Sequence, residues 1–244
     1  MGYNDVVMES TDQVGVRHTE PRDFDAIGAL CKRVYPDTRP WQPEELASHR
    51  RLFPEGQLVA VHGAQERVVG MCASLIVHWD DYATLGCWEE FTANGMFTNH
   101  DPTHGHTLYG AEIIVDPALQ GHGVGHHLYS ARFAMVEHLG LRRIRGGARL
   151  RDYHNYADTM SAEEYVVGVV HGLFVDPTLT FQLNQGFHVV AIVPHYLHHD
   201  PETLGFAAVI EWLNPQIVLP EHYADRPTQY LRRDVAAQFH GKPT

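Results

Sequence analysis

An α+β domain built on a mixed sheet is the fold class this sequence predicts. Segments of helical apolar periodicity are interspersed with β-branched apolar segments, and no internal repeat or low-complexity tract interrupts them. Composition agrees: 244 residues with 44% hydrophobic, 20% charged, 21 Gly and 14 Pro make a compact globular chain and exclude extended disorder.

The elements follow in order. After a polar leader (1–13), Gly15 to Thr19 reads as a short strand. Asp23 to Val34 is an amphipathic helix, with Phe24, Ile27, Leu30, Cys31 and Val34 at helical spacing. Pro43, Glu44 and Glu45 open a second helix reaching Arg51, since Pro and acids suit a first turn. Leu58 to His62 and Val68 to His78 form a hairpin around Gly63-Ala64-Gln65-Glu66. From Trp79 to Gly105 the pattern dissolves into Asp, Thr, Asn, Gly and aromatic residues, too long for a turn and therefore either a lid or a mobile excursion. His106 to Val115 is the next strand, Gly121 to Gly125 a glycine turn, and Val124 to Leu139 a helix with Leu128, Ala131, Met135 and Leu139 on one face. Arg143 to Leu150 is a strand, Ala162 to His171 and Thr178 to Asn184 are helices, and His188 to Val193 and Gly205 to Trp212 are closing strands. The expected domain is 14–213, with 79–105 inserted and 214–244 a tail holding one short helix.

The most informative stretch runs from Ile113 to Leu128, where an apolar strand passes through a glycine turn into a helix. Such a turn aims unpaired backbone N–H groups and a helix dipole at an anion, so it should hold phosphate. A dinucleotide fingerprint would need Gly where His126 stands and an acid near Arg145 and Gly146, and a P-loop would need a Lys. Val115-Asp116-Pro117 followed by Gln120-Gly121-His122-Gly123-Val124-Gly125 instead resembles the GCN5-related N-acetyltransferase (GNAT) family, whose signature is [QR]xxGx[GA] after a strand ending in V-x-P. The element order from about Val14 to Trp212 resembles that family too, as does Gly186-Phe187 before the penultimate strand. A narrower likeness, in Asp152 to Asp158, Met160 to Tyr165 and Asp176 to Leu183, is to the acetyltransferase module that precedes a carbon-nitrogen hydrolase domain in some two-domain proteins. The chain is too short for that second domain, so a stand-alone relative is expected and hydrolysis is not.

The resemblance implies a GNAT-like fold with a mostly antiparallel sheet flanked by helices, and acetyl-CoA as co-substrate. The pyrophosphate is expected on the backbone of Gln120, Gly121, His122, Gly123, Val124, Gly125 and His126, and an oxyanion donor N–H near Ile114 or Val115. A protonated imidazole at His122, His126 or His127 would favour phosphate, unless these are simply polar helix-start residues. Acetyl transfer to an amine by direct attack needs a base, an oxyanion donor and an acid. Glu112 is the only acid within Tyr109 to Val115, and a carboxylate on a central strand is costly unless used or paired, so it is the expected base unless a neighbouring loop simply bonds it. The Tyr that the family commonly places four residues before Gly-Phe is Gln182 here, which cannot supply a proton. Tyr153, Tyr156 or His154 would have to substitute, or water.

Other features bound the function. The net charge of −12 repels phosphate backbones, so nucleic acid is not an expected partner. Titration of the 19 histidines near pH 6.5 would cancel much of that charge and lower solubility in mild acid. Cys31, Cys72 and Cys87 lack zinc or CxxC spacing and read as reduced, mostly buried thiols; with no apolar run of membrane length and no targeting leader, a cytoplasmic protein is expected. His195, His198, His199 and Asp200 form one loop motif without a second segment, so no metal is assigned. Asp80, Asp81, Trp88, Glu89, Glu90 and Phe91 mix acids with aromatics, which suits a cationic amine. The acceptor is thus expected to be an amine, on a small molecule or a protein, with a homodimer allowed and no membrane partner. The alternatives are a CoA-binding regulatory module with little catalysis, and transfer of a longer acyl group or to an oxygen nucleophile.

Overall fold

The computed structural model describes residues 14–81, 86–198, 200–223 and 226–231; the leader and residues 232–244 lie outside them. Seven strands form one sheet in the order β1-β2-β3-β4-β5-β7-β6: β1 (Val14–His18), β2 (Gln57–His62), β3 (Arg67–Val77), β4 (Thr107–Val115), β5 (Arg143–Arg149), β6 (His188–Val193) and β7 (Ala207–Leu213). Every pairing is antiparallel except β4 with β5. The sheet is therefore mixed and mostly antiparallel, as expected.

Helices cover both faces. α1 (Phe24–Val34) and α2 (Pro43–Leu52) lie on one face, where Ile27, Leu30 and Leu46 pack with Val59, Met71, Ala73 and Leu75. On the other face α4 (Val124–His138) packs Val124 and Leu128 on Leu58, Ala60 and Cys72. Alternation along β2, with Leu58 and Ala60 to one face and Val59 and Val61 to the other, shows why this strand is apolar at nearly every position. α5 (Ala162–Val170) and α6 (Pro177–Asn184) complete that second layer beside β5. Capping fixes their starts: Ser161 and Glu164 form a reciprocal box, and the Asp176 carboxylate accepts from the Thr178 and Leu179 amides at 3.0 and 2.8 Å.

One sequence expectation changes, and two segments gain detail. The buried stripe of α4 is Val124, Leu128, Arg132 and Val136, while Leu139 is exposed; the stripe was disguised because its central member is an arginine. The described part of the insertion 79–105 contains α3 (Trp88–Thr92) and inserts fully buried Phe91 and Phe97 into the core. Phe91 stacks between Trp79 and Tyr109 at centroid distances of 4.7 and 4.8 Å, and Phe97 stacks on His49 at 3.6 Å, so aromatic packing supplies the order that periodicity lacked. The described part of the tail carries two short 3-10 turns, Pro220–Tyr223 and Thr228–Tyr230; the rest of the stretch in which a short helix is expected, 232–244, lies outside the described residues.

Pairing between β4 and β5 spans only Thr107, Leu108 and Tyr109 with Arg143, Ile144 and Arg145. Beyond that, both strands continue but pair with each other no further. The sheet opens there, and the cavity described next occupies the opening.

Candidate active site

A cavity of about 320 Å³ lies in this opening, a size suited to a small ligand. β4 contributes Gly110, Ala111, Glu112 and Ile113, and β5 contributes Ile144 to Gly147 and Arg149. The opening has local causes. The register of β3 against β4 shifts at Ala73/Ser74, leaving Ala111 as an extra residue on β4, and its carbonyl accepts from the Trp88 indole N–H at 3.0 Å. Arg132, fully buried on α4, donates to the Ala73 and Glu112 carbonyls at 3.2 and 2.8 Å and so braces β4 from behind.

The Glu112 side chain faces this cavity. Its Oε1 accepts from the Ile113 amide at 3.1 Å. Burial pushes the Glu112 carboxyl up to about 7, opposed by the charges of Arg149 and Arg132 and by hydrogen bonds from the Ile113 amide and the Tyr35 hydroxyl. Arg149 in turn is held by Asp200 at 2.8 Å and Glu202 at 3.0 Å, and its guanidinium lies over the Tyr35 ring.

The direction of the β4 amides follows from alternation. Asp116 donates its N–H back to Val69 on β3, and the Ile113 N–H turns to the cavity side, so Ile114 shares the β3 direction and Val115 the open one. Of the two expected oxyanion donors, the Val115 N–H therefore turns away from β3, whereas Ile114 is paired to β3 and its side chain is core; neither residue lines the cavity itself.

The turn after β4 has the form an anion needs. Gly121 and Gly123 have φ of +78° and +83°, and a Cβ on either would meet nothing within 4 Å, so both need glycine for conformation and face open space. Gly125 is glycine for another reason, since a Cβ there would come within 2.8 Å of Phe181 on α6. The first amides of α4, which starts at Val124 directly after this turn, lack intrahelical partners. Val124 can offer only its backbone there, because its side chain is buried. Gln120 turns its amide nitrogen toward the Val115 carbonyl at 3.4 Å; the exposed His122 and His126 rings bond the Gln120 carbonyl and Gln185 Oε1, both at 3.0 Å.

The residues expected to supply a proton are elsewhere. Tyr153 and Tyr156 pack on Tyr165, whose hydroxyl donates to the Asp176 carboxylate at 3.0 Å, and the Tyr153 hydroxyl donates to the Met160 carbonyl. His154 is exposed and bonds the Arg151 and Glu202 carbonyls. None of the three lines the cavity. The Asp176 cap, which also accepts from the Asp152 amide, draws this segment under α5 and α6.

Tyr129 of α4 does line it, and was missed by sequence reasoning. Its hydroxyl accepts from Gln182 Nε2 at 3.0 Å, so the side chain that replaces the expected Tyr orients another. The usable signal was the Gln itself, a polar residue on the buried face of α6 in need of a partner.

The far end of the cavity is aromatic and acidic. Trp41 and Trp88 stand 5.6 Å apart there, with Glu45, Glu89 and Asn94 beside them. Glu45 is paired with Arg39 at 2.7 Å. Of the acid and aromatic residues expected to meet an amine, Trp88 and Glu89 line the cavity, Phe91 is core, and Glu90 caps α3 through the Cys87 amide. Of the loop motif with His195, residues His198 and Asp200 line the cavity, and His199 lies outside the described residues. Cys31 and Cys72 are buried and Cys87 is half-buried, all as free thiols. No helix among the described residues is long and apolar enough to cross a membrane.

Residues 24–154 match the acetyltransferase (GNAT) family. Among curated proteins, the chain is 39% identical over 199 residues to the probable hydrolase YhcX of Bacillus subtilis (strain 168); the match covers 82% of this chain but 38% of that relative. It is 34% identical over 203 residues to the uncharacterized N-acetyltransferase YkwB of the same organism, covering 82% of this chain and 88% of that one. Among solved structures, it resembles the GphF GNAT-like decarboxylase in complex with isobutyryl-CoA, with a TM-score of 0.68, 26% identity, and coverage of 82% of this chain and 99% of that one.

Proposed function

The chain belongs to the GNAT acetyltransferase family, and from that premise we propose that it transfers an acetyl group from acetyl-CoA to an amine by direct attack within a ternary complex. One observation carries the reading: Glu112, a carboxyl with its pKa near neutrality, faces the opening of the sheet one strand-end away from an anion-binding glycine turn. In this reading the turn from Gln120 to His126 takes the pyrophosphate on its backbone amides, and the acyl arm enters between β4 and β5. The acceptor enters past Trp41 and Trp88, whose ring faces suit a cationic amine.

Glu112 takes a proton from the incoming ammonium, and the freed amine nitrogen attacks the thioester carbonyl carbon. The carbonyl oxygen gains negative charge, which is stabilised by a hydrogen bond donated from the Val115 amide. Collapse breaks the C–S bond and expels the thiolate. We assign its proton to the Tyr129 hydroxyl: Gln182 donates to that oxygen, leaving the hydroxyl hydrogen free to point into the cavity. The second proton of the attacking nitrogen leaves to solvent, and the tyrosine is reprotonated from solvent in turn.

Thiol release from acetyl-CoA across a panel of primary amines tests the reaction. CoA binding without release from any amine would favour the regulatory-module reading instead. Tyr129→Phe is expected to lower kcat roughly tenfold with a small change in KM, because water substitutes only in part for a placed acid. Tyr153→Phe, Tyr156→Phe and His154→Gln should keep kcat. Full kcat in Tyr129→Phe would assign the proton to solvent.

A further inference from the structure

At the acceptor end of the cavity three side chains of different chemistry converge: the Cys87 thiol, the Glu89 carboxylate and the His198 imidazole. Their donor atoms all lie within 4.8 Å of one another. Cys87 and Glu89 flank Trp88 at the start of α3, and His198 comes from the connection between β6 and β7. The two segments are fastened together, since the Trp88 amide donates to the Tyr196 carbonyl at 3.1 Å while its indole holds Ala111 on β4. The cluster therefore sits on braced backbone and not on two independent loops.

Glu89 Oε2 is buried and has no hydrogen-bond partner among the described residues. A buried carboxylate oxygen without a donor is costly, and the Cys87 thiol and the His198 ring stand within reach of the same point. A cation at this point would satisfy the oxygen and stabilise the thiolate together.

We propose that Cys87, Glu89 and His198 bind a zinc ion, with one coordination position left open toward the cavity. Three protein donors and an open position are the pattern of zinc sites that engage a further ligand, and a thiolate with an imidazole selects zinc over magnesium or calcium. Thiolate and carboxylate together neutralise the dication. Zinc–ligand bonds of about 2.0–2.3 Å place tetrahedral donors roughly 3.3–3.7 Å apart, so side-chain rotation must draw the cluster in by about an ångström. The half-buried Cys87 and Glu89 and the exposed His198 have room for this. Binding releases the thiol proton, so affinity rises with pH. The open position would receive a lone pair from the acceptor beside Trp88, narrowing acceptors to those bearing a second donor group. The four-residue run from His195 is not this site, because Asp200 is committed to Arg149 and His199 lies outside the described residues.

The test is titration of the full chain with Co²⁺, a coloured zinc surrogate. One equivalent should bind, with visible bands of tetrahedral intensity and a thiolate-to-cobalt charge-transfer band in the near ultraviolet, all bleached by Zn²⁺. Cys87→Ser should abolish the charge-transfer band, His198→Gln should weaken Co²⁺ binding by about tenfold or more, and Cys31→Ala should change neither. Absence of a charge-transfer band in the unmodified chain, or its persistence in Cys87→Ser, overturns the site. Should Cys87→Ser fail to fold, His198→Gln decides alone, because that ring is exposed: unchanged affinity overturns the proposal and weakened affinity supports it. The readout does not involve acetyl transfer, so a negative result leaves the proposed reaction intact.

Discussion

Glu112→Gln should lower kcat by about 10²-fold or more while leaving the Kd for acetyl-CoA nearly unchanged. The substitution keeps the shape of the cavity wall and removes the only carboxylate on the opened edge of β4. The pH profile gives a second readout. With the carboxyl pushed up to about 7, kcat of the unmodified enzyme should climb about tenfold per pH unit on the acid side of 7 and level off above it. The variant should show no such limb. Stability should move the other way. A carboxyl whose pKa is raised on folding contributes most when protonated, so its contribution is lost as pH rises from the unfolded value through about 7. Gln at 112 cannot ionise, and its Tm should exceed that of the unmodified protein at pH 8 but match it near pH 4.5. A Glu112 that merely braces the strand would give the opposite result: full kcat and a lower Tm at pH 8.

The other large effect is expected at the turn. Gly123→Asp should raise the Kd for acetyl-CoA by about 10³-fold, effectively abolishing binding, since the proposed pyrophosphate site would then meet a carboxylate standing in open space beside the first α4 amides. Because Gly123 has φ of +83°, any side chain there also strains the backbone by about 1 kcal/mol. Gly123→Asn separates the two causes. Asn tolerates the left-handed region about as well as Asp and carries no charge, so both variants should lose similar thermal stability while Gly123→Asn loses at most about tenfold in affinity. Calorimetry comparing the pair is the measurement. Equal affinities in the two variants would remove the phosphate from this turn.

The strands, helices and glycine turn were legible in the sequence because their signals are local. Period-2 and period-3.6 apolar patterns, Pro43 at a helix start, and glycines at 121 and 123 each report on a few neighbouring residues. Glu112 was legible for the same reason, as a lone acid in an apolar strand. What the sequence withheld depends on partners far along the chain. Nothing near Tyr129 says that its hydroxyl meets Gln182, 53 positions away, and nothing near Tyr153 says that a buried Asp176 draws its segment under α5. Arg132 misled more directly, since a charged residue in a helix is read as solvent-facing, and here it is among the most buried side chains, bonded to two strand carbonyls. The insertion hid its order because stacked aromatic rings have no sequence period.

A strand in the middle of a seven-stranded sheet ordinarily ranks among the slowest to exchange its amide hydrogens with deuterium. β4 should break that rule within its own length. Past Tyr109 it is paired to β3 on one flank and faces the cavity opening on the other, so its amides alternate between locked and free. Ile114 should exchange on the clock of global unfolding, while Val115, its immediate neighbour, exchanges in the folded protein. A thioester oxygen seated on Val115 would erase the difference. The strand that the fold leaves half-paired therefore carries its own isotopic record of occupancy, readable at a single peptide bond without any added label.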